Sequence, residues 1–238
     1  MARSKKTKKR GRRWLTRVLL IITVGLAAFA GWTWLTWPDV AALAIENPTS
    51  TAFIDAARTR GDDVQWRRAP YSEISLEIKK AVVAAEDLSF FSHSGFDTHE
   101  LKIAARDAVR GKKLRGASTI TQQLAKNLWL TPSRSPLRKI REAILTRQLE
   151  THLSKKRILD LYLNGVQFGP AIYGVDTAAR RYFGIPASDL NARQAAALAA
   201  CLPRPSSWYP GVDTRGYANA VERIRARVEQ CDWLDKLL

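Results

Sequence analysis

A run of 21 residues without a charge, residues 18–38, limits what the N-terminal part of this chain can become. An α-helix rises ~1.5 Å per residue, so the run would extend about 30 Å as a helix, enough to cross the hydrocarbon core of a bilayer. Trp32, Trp34 and Trp37 cluster at its C-terminal end, and indole rings favour the lipid–water boundary. The sequence therefore predicts a single transmembrane helix over residues 18–38.

The charge distribution orients this helix. Residues 1–17 contain nine Lys and Arg and no acid, within a chain of 39 basic and 22 acidic residues and a net charge of +17. Basic flanks stay on the cytoplasmic side, so residues 1–17 are predicted to be a cytoplasmic tail and the chain after Asp39 to lie outside. Three alternatives stay open: a cleaved signal peptide, although the run is long and lacks a clear A-x-A site; a buried core helix; and a nucleic-acid-binding tail, which would not explain the apolar run.

The rest of the composition narrows the class of protein. The basic excess indicates an anionic partner, which could be nucleic acid, lipid head groups or a phosphorylated substrate. Two cysteines, Cys201 and Cys231, are too few for a disulfide scaffold, and no C-x-x-C pair suggests zinc. An oxidising outer compartment would permit a bond between them, but two free thiols are the simpler expectation.

From Ser72 onward the apolar spacing is helical almost throughout, without strand alternation of useful length after Gln65. Two capping boxes are predicted, Thr119 with Gln122 and Asn191 with Gln194, and Gly184 is a predicted helix stop. The later helices are expected over 137–153, 155–163, 176–183, 191–202 and 217–230. The sequence thus predicts an all-α (mostly α) domain over 71–238, preceded by a connector and docking segment over 39–70.

Two carboxylates share a helix face with apolar residues. Glu86 follows Ile78 and Val82 at i+8 and i+4, and Glu142 precedes Leu145 and similar residues at i+3, i+7 and i+11. An acid on such a face loses hydration and its pKa tends to rise, which is how a fold makes a general base or acid. The alternative for each is a glutamate facing water at the edge of the stripe.

The segment between these acids is suited to an anion. Residues 115–123 place small and hydroxyl residues at a helix start, where free N–H groups and the helix dipole favour negative charge. Bases follow at Lys126, Arg134, Arg138 and Lys139, as a diphosphate site would require. The alternative is a capped surface helix with solvated bases.

Five blocks in order, over roughly residues 70–210, resemble the peptidoglycan glycosyltransferase family. They are Glu86-Asp87-x-x-Phe90-x-x-His93-x-Gly95, then Gly116-Ala117-Ser118-Thr119-Ile120-Thr121-Gln122-Gln123-Leu124-Ala125-Lys126-Asn127, then Arg138-Lys139-x-x-Glu142, then Ile158-Leu159-Asp160-x-Tyr162-Leu163-Asn164-x-x-x-x-Gly169, and Ala178-Ala179-x-x-Tyr182-Phe183-Gly184. Only 28 residues follow Pro210, without an S-x-x-K and K-T-G set, so a monofunctional member without a transpeptidase domain is expected.

The resemblance implies a lysozyme-like glycosyltransferase domain that joins lipid II to a growing lipid-linked glycan strand, with inversion at the sugar. It implies Glu86 as the general base and Glu142 as a second acid near the donor diphosphate. The expected diphosphate and donor-cleft residues are Ser118, Thr119, Gln122, Gln123, Lys126, Arg134 and Arg138. Ala117, Asp160 and Gln194 depart from the family pattern, which puts local helix packing in doubt rather than the reaction.

No cofactor or structural metal is expected, although Mg²⁺ or Mn²⁺ could stimulate by bridging the diphosphate. The expected location is the bacterial inner (cytoplasmic) membrane, single-pass, with the catalytic domain in the periplasm. The expected partners are lipid II, the glycan strand, the membrane and other cell-wall synthesis or division proteins, but no nucleic acid. Two alternative functions stay open, a lysozyme-like hydrolase of finished peptidoglycan and a basic membrane-tethered binding protein.

Four residues in these blocks and beside the span have a second interpretation. His93 is expected to make a structural hydrogen bond rather than transfer a proton. Tyr162 and Asn164 could shape the cleft floor or serve structure alone. Phe53, just outside the span, could contact lipid or pack within the connector.

Overall fold

A computed structural model describes residues 14, 17–25, 27, 28, 31, 33, 35–111, 118–131 and 135–238. The chain divides into two compact units, Met1–Asp39 and Val40–Leu238. In the first unit the described backbone is helical at residues 14, 17–25, 27, 28, 31, 33 and 35.

Apolar side chains of the first unit are exposed, including Leu19 at 60% and Ile21 at 71%. Within the described residues, no helix combines the length and apolar character needed to cross a bilayer. Trp32, Trp34 and most of the tail at 1–17 lie outside the described residues. The transmembrane helix over 18–38 stays a prediction.

The second unit is mostly helical, which confirms the predicted class. Its α-helices in the described residues are α1 (Ala52–Thr59), α2 (Leu76–Glu86), α3 (Thr98–Val109), α4 (Ile120–Trp129), α5 (Pro136–His152), α6 (Lys155–Gly165), α7 (Val175–Phe183), α8 (Ala192–Ala199) and α9 (Arg215–Val228). Short 3₁₀ helices lie at Ala41–Ala44, Tyr71–Glu73, Ala187–Asp189 and Asp232–Lys236.

Local capping fixes several helix ends as the sequence predicts. The Thr119 hydroxyl accepts from the Gln122 backbone N–H, and the Gln122 side chain accepts from the Thr119 N–H. Asn191 and Gln194 form the second capping box. α7 ends at Gly184, which adopts the left-handed φ of 70° that glycine tolerates without strain. These features follow from neighbouring residues and are therefore visible in the sequence.

A small sheet was not predicted. Its strands are β1 (Gln65–Trp66), β2 (Gln167–Gly169) and β3 (Ile172–Tyr173), in the order β1-β3-β2. β1 runs parallel to β3 and β2 antiparallel to it. Strands of two or three residues are too short for an alternating pattern to appear in the sequence.

The sheet docks α1, a helix within the segment that the sequence marks only as connector and docking structure. Ile54 and Ala57 of α1 are fully buried and pack with Tyr173 of β3. The half-buried Phe53 packs against this cluster, which favours connector packing over lipid contact for this residue.

α4 is the central helix around which the site is built. It packs against α1, α5 and α6, while α2 packs against α8 and α9. Ile120 and Leu124 are almost completely buried. Polar side chains of α4 reach two neighbouring helices: Gln123 donates to Glu86 of α2, and Thr121 donates to Glu150 of α5.

Gly174 gives the fold a testable weak point. Its φ is 79° and ψ is 144°, and an added Cβ would come within 2.9 Å of the Asn164 carbonyl oxygen and 3.0 Å of the Arg67 carbonyl oxygen. We expect Gly174→Ala to lower the free energy of unfolding by more than about 3 kcal/mol, because backbone strain and a backbone clash add. Gly61 also has a positive φ, 85°, but open space around it, so Gly61→Ala should cost only about 1–2 kcal/mol. Urea unfolding of the full chain in detergent measures the free energy of unfolding of both variants. Equal losses in the two variants would contradict a backbone clash at Gly174.

Candidate active site

Glu86 is the last residue of α2 and lies at the edge of the core. The preceding turns of the helix bury Ile78 and Val82 completely, as the sequence predicts. The Glu86 Oε2 atom accepts a hydrogen bond of 2.7 Å from the Gln123 side-chain N–H. Burial raises the pKa of Glu86, the charge of Asp87 acts in the same direction, and the Gln123 hydrogen bond and the Lys126 charge oppose it.

Asp87 connects the end of α2 to the start of α4. It is 7% exposed, and its Oδ2 atom accepts a hydrogen bond of 3.0 Å from the Ile120 backbone N–H, the first residue of α4. The Thr119 hydroxyl donates to the Gly95 carbonyl at 2.7 Å. A carboxylate at a helix N-terminus is favoured by the free N–H groups and the helix dipole. The two helices are thus fixed in register, with Gln123 opposite Glu86.

His93 supports Asp87. Its Nε2 atom lies 2.9 Å from Asp87 Oδ1, while its Nδ1 atom accepts from the Gly95 N–H at 3.1 Å. Because Nδ1 accepts, Nε2 carries the hydrogen and donates it to the carboxylate. Both ring nitrogens are occupied within the protein, which supports a structural role for His93.

Lys126 follows Gln123 by one turn of α4. Burial lowers the pKa of Lys126; the negative charges of Glu142 and Glu86 oppose this effect, and the positive charges of Arg138 and Lys139 add to it. Its Nζ atom lies 5.7 Å from the centre of the Phe53 ring. The ammonium is therefore within electrostatic reach of both acids and shielded from water on one side.

Glu142 lies on the buried face of α5, with only 3% of its surface exposed. Its carboxylate accepts from Arg138 at 2.8 Å and from Lys139. Since two cations already bind its oxygens, Glu142 is better suited to hold a cationic cluster in place than to exchange protons.

The predicted site residues divide into three groups. Contacts or electrostatic interactions join Glu86, Gln123, Lys126, Glu142 and Arg138. Thr119 and Gln122 are buried and serve the capping box, and Ser118 is exposed just before it. Arg134 and residues 115–117 of the predicted anion segment lie outside the described residues. The substrate-binding roles of all of them stay predictions.

Sequence reasoning missed the part that Asp87 plays, although it adjoins Glu86 in the first block. A lone acid after a helix gives no sign of which distant N–H it will meet. For Tyr162, by contrast, the sequence leaves two interpretations, a residue of the cleft floor or a purely structural one. It is completely buried on α6, and its hydroxyl donates to the Gln123 side-chain oxygen at 2.9 Å.

Asp160, one of the departures from the family pattern, centres a buried polar network. It accepts from Arg68 at 2.9 and 3.1 Å, from Arg157 at 2.5 Å and from the Asn164 amide at 2.8 Å. Arg157 also donates to the backbone carbonyl of Leu43 at 2.8 Å. Asp160, which is shorter than the glutamate usual in the family, thus has cationic partners for its carboxylate. Through Arg157, its network also connects the segment around Leu43 to α6.

The cysteines and the potential metal ligands are the other described side chains with a chemistry of their own. Cys201 and Cys231 are free thiols, both buried, and burial raises the pKa of Cys201 to about 12, so it is not an activated nucleophile. Among the described residues, no three His, Cys, Asp or Glu side chains are grouped as metal ligands.

Together the fold and site define an α-helical enzyme with a desolvated carboxylate beside a cluster of cations, suited to a reaction with an anionic leaving group. A family model described as Transglycosylase matches residues 53–231. The chain belongs to this family of glycosyltransferases.

Several relatives carry the name biosynthetic peptidoglycan transglycosylase. The protein from Azoarcus sp. (strain BH72) is 44% identical over 223 residues, covering 91% of this chain and 95% of its own length. That from Aromatoleum aromaticum is 40% identical, covering 89% and 94%. That from Cupriavidus metallidurans is 42% identical, covering 81% and 85%.

The desolvation of Glu86 predicts a stability effect with a defined sign. The pKa of Glu86 in the folded protein is raised above its ordinary value. The free energy of unfolding therefore falls as the pH rises from the pKa of the unfolded chain to that of the folded protein. The loss is about 1.4 kcal/mol for each pH unit by which the two pKa values differ. Glu86→Gln should therefore unfold at a higher temperature than the native chain at about pH 7.5, with the difference shrinking toward about pH 4.

Differential scanning calorimetry of the full chain in detergent tests this. Glu222→Gln, a change at a largely exposed carboxylate on α9, serves as the control and should show no such pH-dependent difference. A melting temperature of Glu86→Gln that stays below the native value at neutral pH would contradict a desolvation cost at Glu86.

Proposed function

We propose that this peptidoglycan glycosyltransferase polymerises lipid II, transferring the growing glycan strand from its lipid diphosphate to the sugar of an incoming lipid II molecule. The observation that carries the proposal is the meeting of Glu86, from the end of α2, with Gln123 and Lys126 of α4. One group is a carboxylate whose pKa burial raises, and another is a desolvated cation. This pair matches the two needs of the reaction, a base and a site for an anion.

Glu86 acts as the general base. Its carboxylate takes the proton from the acceptor hydroxyl while the hydroxyl oxygen bonds to the anomeric carbon of the donor. The bond from that carbon to the diphosphate oxygen breaks, and its electron pair leaves with the lipid diphosphate. Because this is a direct displacement, the anomeric centre inverts and no covalent sugar–enzyme intermediate forms. A base with a raised pKa is closer to the operating pH and more effective in the transition state.

The cations stabilise the leaving group. In this proposal Lys126, Arg134 and Arg138 bind the diphosphate, and Ser118, Thr119, Gln122 and Gln123 line the donor cleft. Fixed positive groups in a site shielded from water stabilise developing charge strongly, since no solvent must reorganise. Glu142 holds Arg138 and Lys139 and so keeps like charges close together. No cofactor is required, although Mg²⁺ or Mn²⁺ could stimulate by bridging the diphosphate.

The substrate's lipid tail calls for a domain held at a membrane. We assign residues 18–38 as the single transmembrane helix, 1–17 as the cytoplasmic tail, 39–70 as connector and 71–238 as a lysozyme-like periplasmic domain at the inner membrane. The uncharged run and its basic flank support this. So does an exposed apolar stripe on α5, where Leu137, Ile140 and Ile144 expose 68%, 57% and 46%. Other cell-wall synthesis or division proteins are proposed partners, and nucleic acid is not.

Family membership and the names of the relatives do not favour the hydrolase or the binding protein. A hydrolase of finished strands would have no need for a cationic cluster, because its leaving group is a sugar hydroxyl. The experiment that separates the classes is gel analysis of the products formed from purified lipid II.

Removal of the base or of the central cation should stop polymerisation. We expect Glu86→Gln to reduce kcat by about 10²–10⁴, the range for a lost general base, and Lys126→Ala by about 10²–10³, the range for one lost electrostatic contact. Glu222→Gln is the matched carboxylate control and should polymerise lipid II normally. Native rates in Glu86→Gln would refute the base assignment, and native kcat in Lys126→Ala would refute the cation site.

The pH profile should be bell-shaped and narrower than ordinary side chains would give. The acid limb follows protonation of Glu86, whose pKa lies above its ordinary value, and the alkaline limb follows deprotonation of Lys126, whose pKa lies below its ordinary value. Lys126→Arg keeps the charge at all accessible pH, so it should move the alkaline limb upward and leave the acid limb in place. If the alkaline limb lies at the same pH in the native chain and in Lys126→Arg, that limb belongs to a group other than Lys126.

A further inference from the structure

A chain of two hydrogen bonds links three helices at the proposed base. The Tyr162 hydroxyl of α6 donates to the Gln123 Oε1 atom of α4 at 2.9 Å, and the Gln123 Nε2 atom donates to Glu86 Oε2 of α2 at 2.7 Å. Tyr162 is completely buried. Among the described residues, its hydroxyl makes no hydrogen bond to Glu86 or to Lys126.

We propose that Tyr162 is a positioning residue for Glu86, which acts by fixing the Gln123 side-chain amide in the orientation that presents its N–H group to the carboxylate. This rests on the proposed role of Glu86 as the base. A carboxamide has an acceptor end and a donor end, and rotation by half a turn exchanges them. With the exchange, an oxygen of Gln123 would face the oxygen of an ionised Glu86.

The hydroxyl of Tyr162 opposes this exchange. In the reversed orientation the amide would offer the tyrosine a donor, so the tyrosine O–H would need a different acceptor. Among the described residues, the Tyr162 hydroxyl has no hydrogen-bond partner other than Gln123. A buried donor without an acceptor is destabilising, so the observed orientation is held in place.

Tyr162 keeps this donor role at every pH at which the enzyme would work. Burial and the nearby charges of Glu86 and Asp87 raise the pKa of Tyr162 well above its ordinary value. The hydroxyl therefore stays protonated and continues to donate when Glu86 ionises.

This hydrogen-bond relay, from Tyr162 through Gln123 to Glu86, matters because the other influences on the pKa of Glu86 oppose one another. Burial and the charge of Asp87, its neighbour at the end of α2, favour the protonated carboxyl, while the Lys126 charge on α4 favours the ionised form. The Gln123 N–H bond also favours the carboxylate. Without it, a larger fraction of Glu86 would be protonated near neutral pH and unable to take a proton from the acceptor.

The decisive measurement is the pH dependence of kcat/KM for lipid II polymerisation by the full chain. Tyr162→Phe should move the acid limb upward by about 0.5–1 pH unit, a shift in keeping with a weakened hydrogen bond to a charged group, and should change the plateau value of kcat/KM much less, because Glu86 is ionised there in both proteins. Tyr217→Phe, which also removes a hydroxyl from a buried tyrosine but one that donates to Ala197, should leave the limb unchanged. An unchanged acid limb in Tyr162→Phe overturns the inference.

A second variant covers the case in which Tyr162→Phe folds poorly. Gln123→Met keeps a similar shape without a donor and should move the acid limb at least as far upward. Adding Tyr162→Phe to Gln123→Met should then move it no further, because the tyrosine acts only through the amide; independent, additive shifts overturn the relay.

Glu86→Gln, assayed in parallel, distinguishes a failure of the Tyr162 inference from a failure of the base assignment. Loss of polymerisation in Glu86→Gln together with a native acid limb in Tyr162→Phe removes only the relay. Retained polymerisation in Glu86→Gln removes the base assignment and the relay with it.

Discussion

The hydrogen bond from the Ile120 backbone N–H to the Asp87 carboxylate is the contact on which the rest of the site depends. It joins the residue after α2 to the first residue of α4 at 3.0 Å. The bond is charge-assisted and lies at a helix N-terminus, so both hydrogen bonding and the helix dipole favour it. Because the two helices are held together at this point, Gln123, which lies one turn of α4 after Ile120, meets Glu86. Lys126 follows Gln123 by one further turn of the same helix.

Burial shifts the two central ionisable groups in opposite directions. The pKa of Glu86 rises and that of Lys126 falls, since each charged form loses water. Each charge partly compensates the other, which keeps both groups usable in their ionised forms. A base and a cation that are poorly hydrated interact strongly with a hydroxyl proton and an anionic leaving group, and this is the physical basis of the proposed transfer.

A second buried carboxylate has a different role because its surroundings differ. Glu142 is as deeply buried as any acid in the described chain but is bound by Arg138 and Lys139. Glu86 has only the neutral Gln123 amide as a hydrogen-bond partner in the described residues. Thus two acids with similar apolar spacing in the sequence have different environments, and this difference is why the proposed base is Glu86 and not Glu142.

The sequence by itself determined the helical class, the capping boxes at Thr119 and Asn191, the stop at Gly184 and the buried faces that carry Glu86 and Glu142. Those features depend on residues within a few positions of one another, so local spacing is enough to predict them. The pairing of β1 with β3, the bond from Ile120 to Asp87 and the chain from Tyr162 through Gln123 to Glu86 join residues 33 to more than 100 positions apart. Only the tertiary structure could decide these, because which distant groups meet depends on how the helices pack, and helix packing has no local signature.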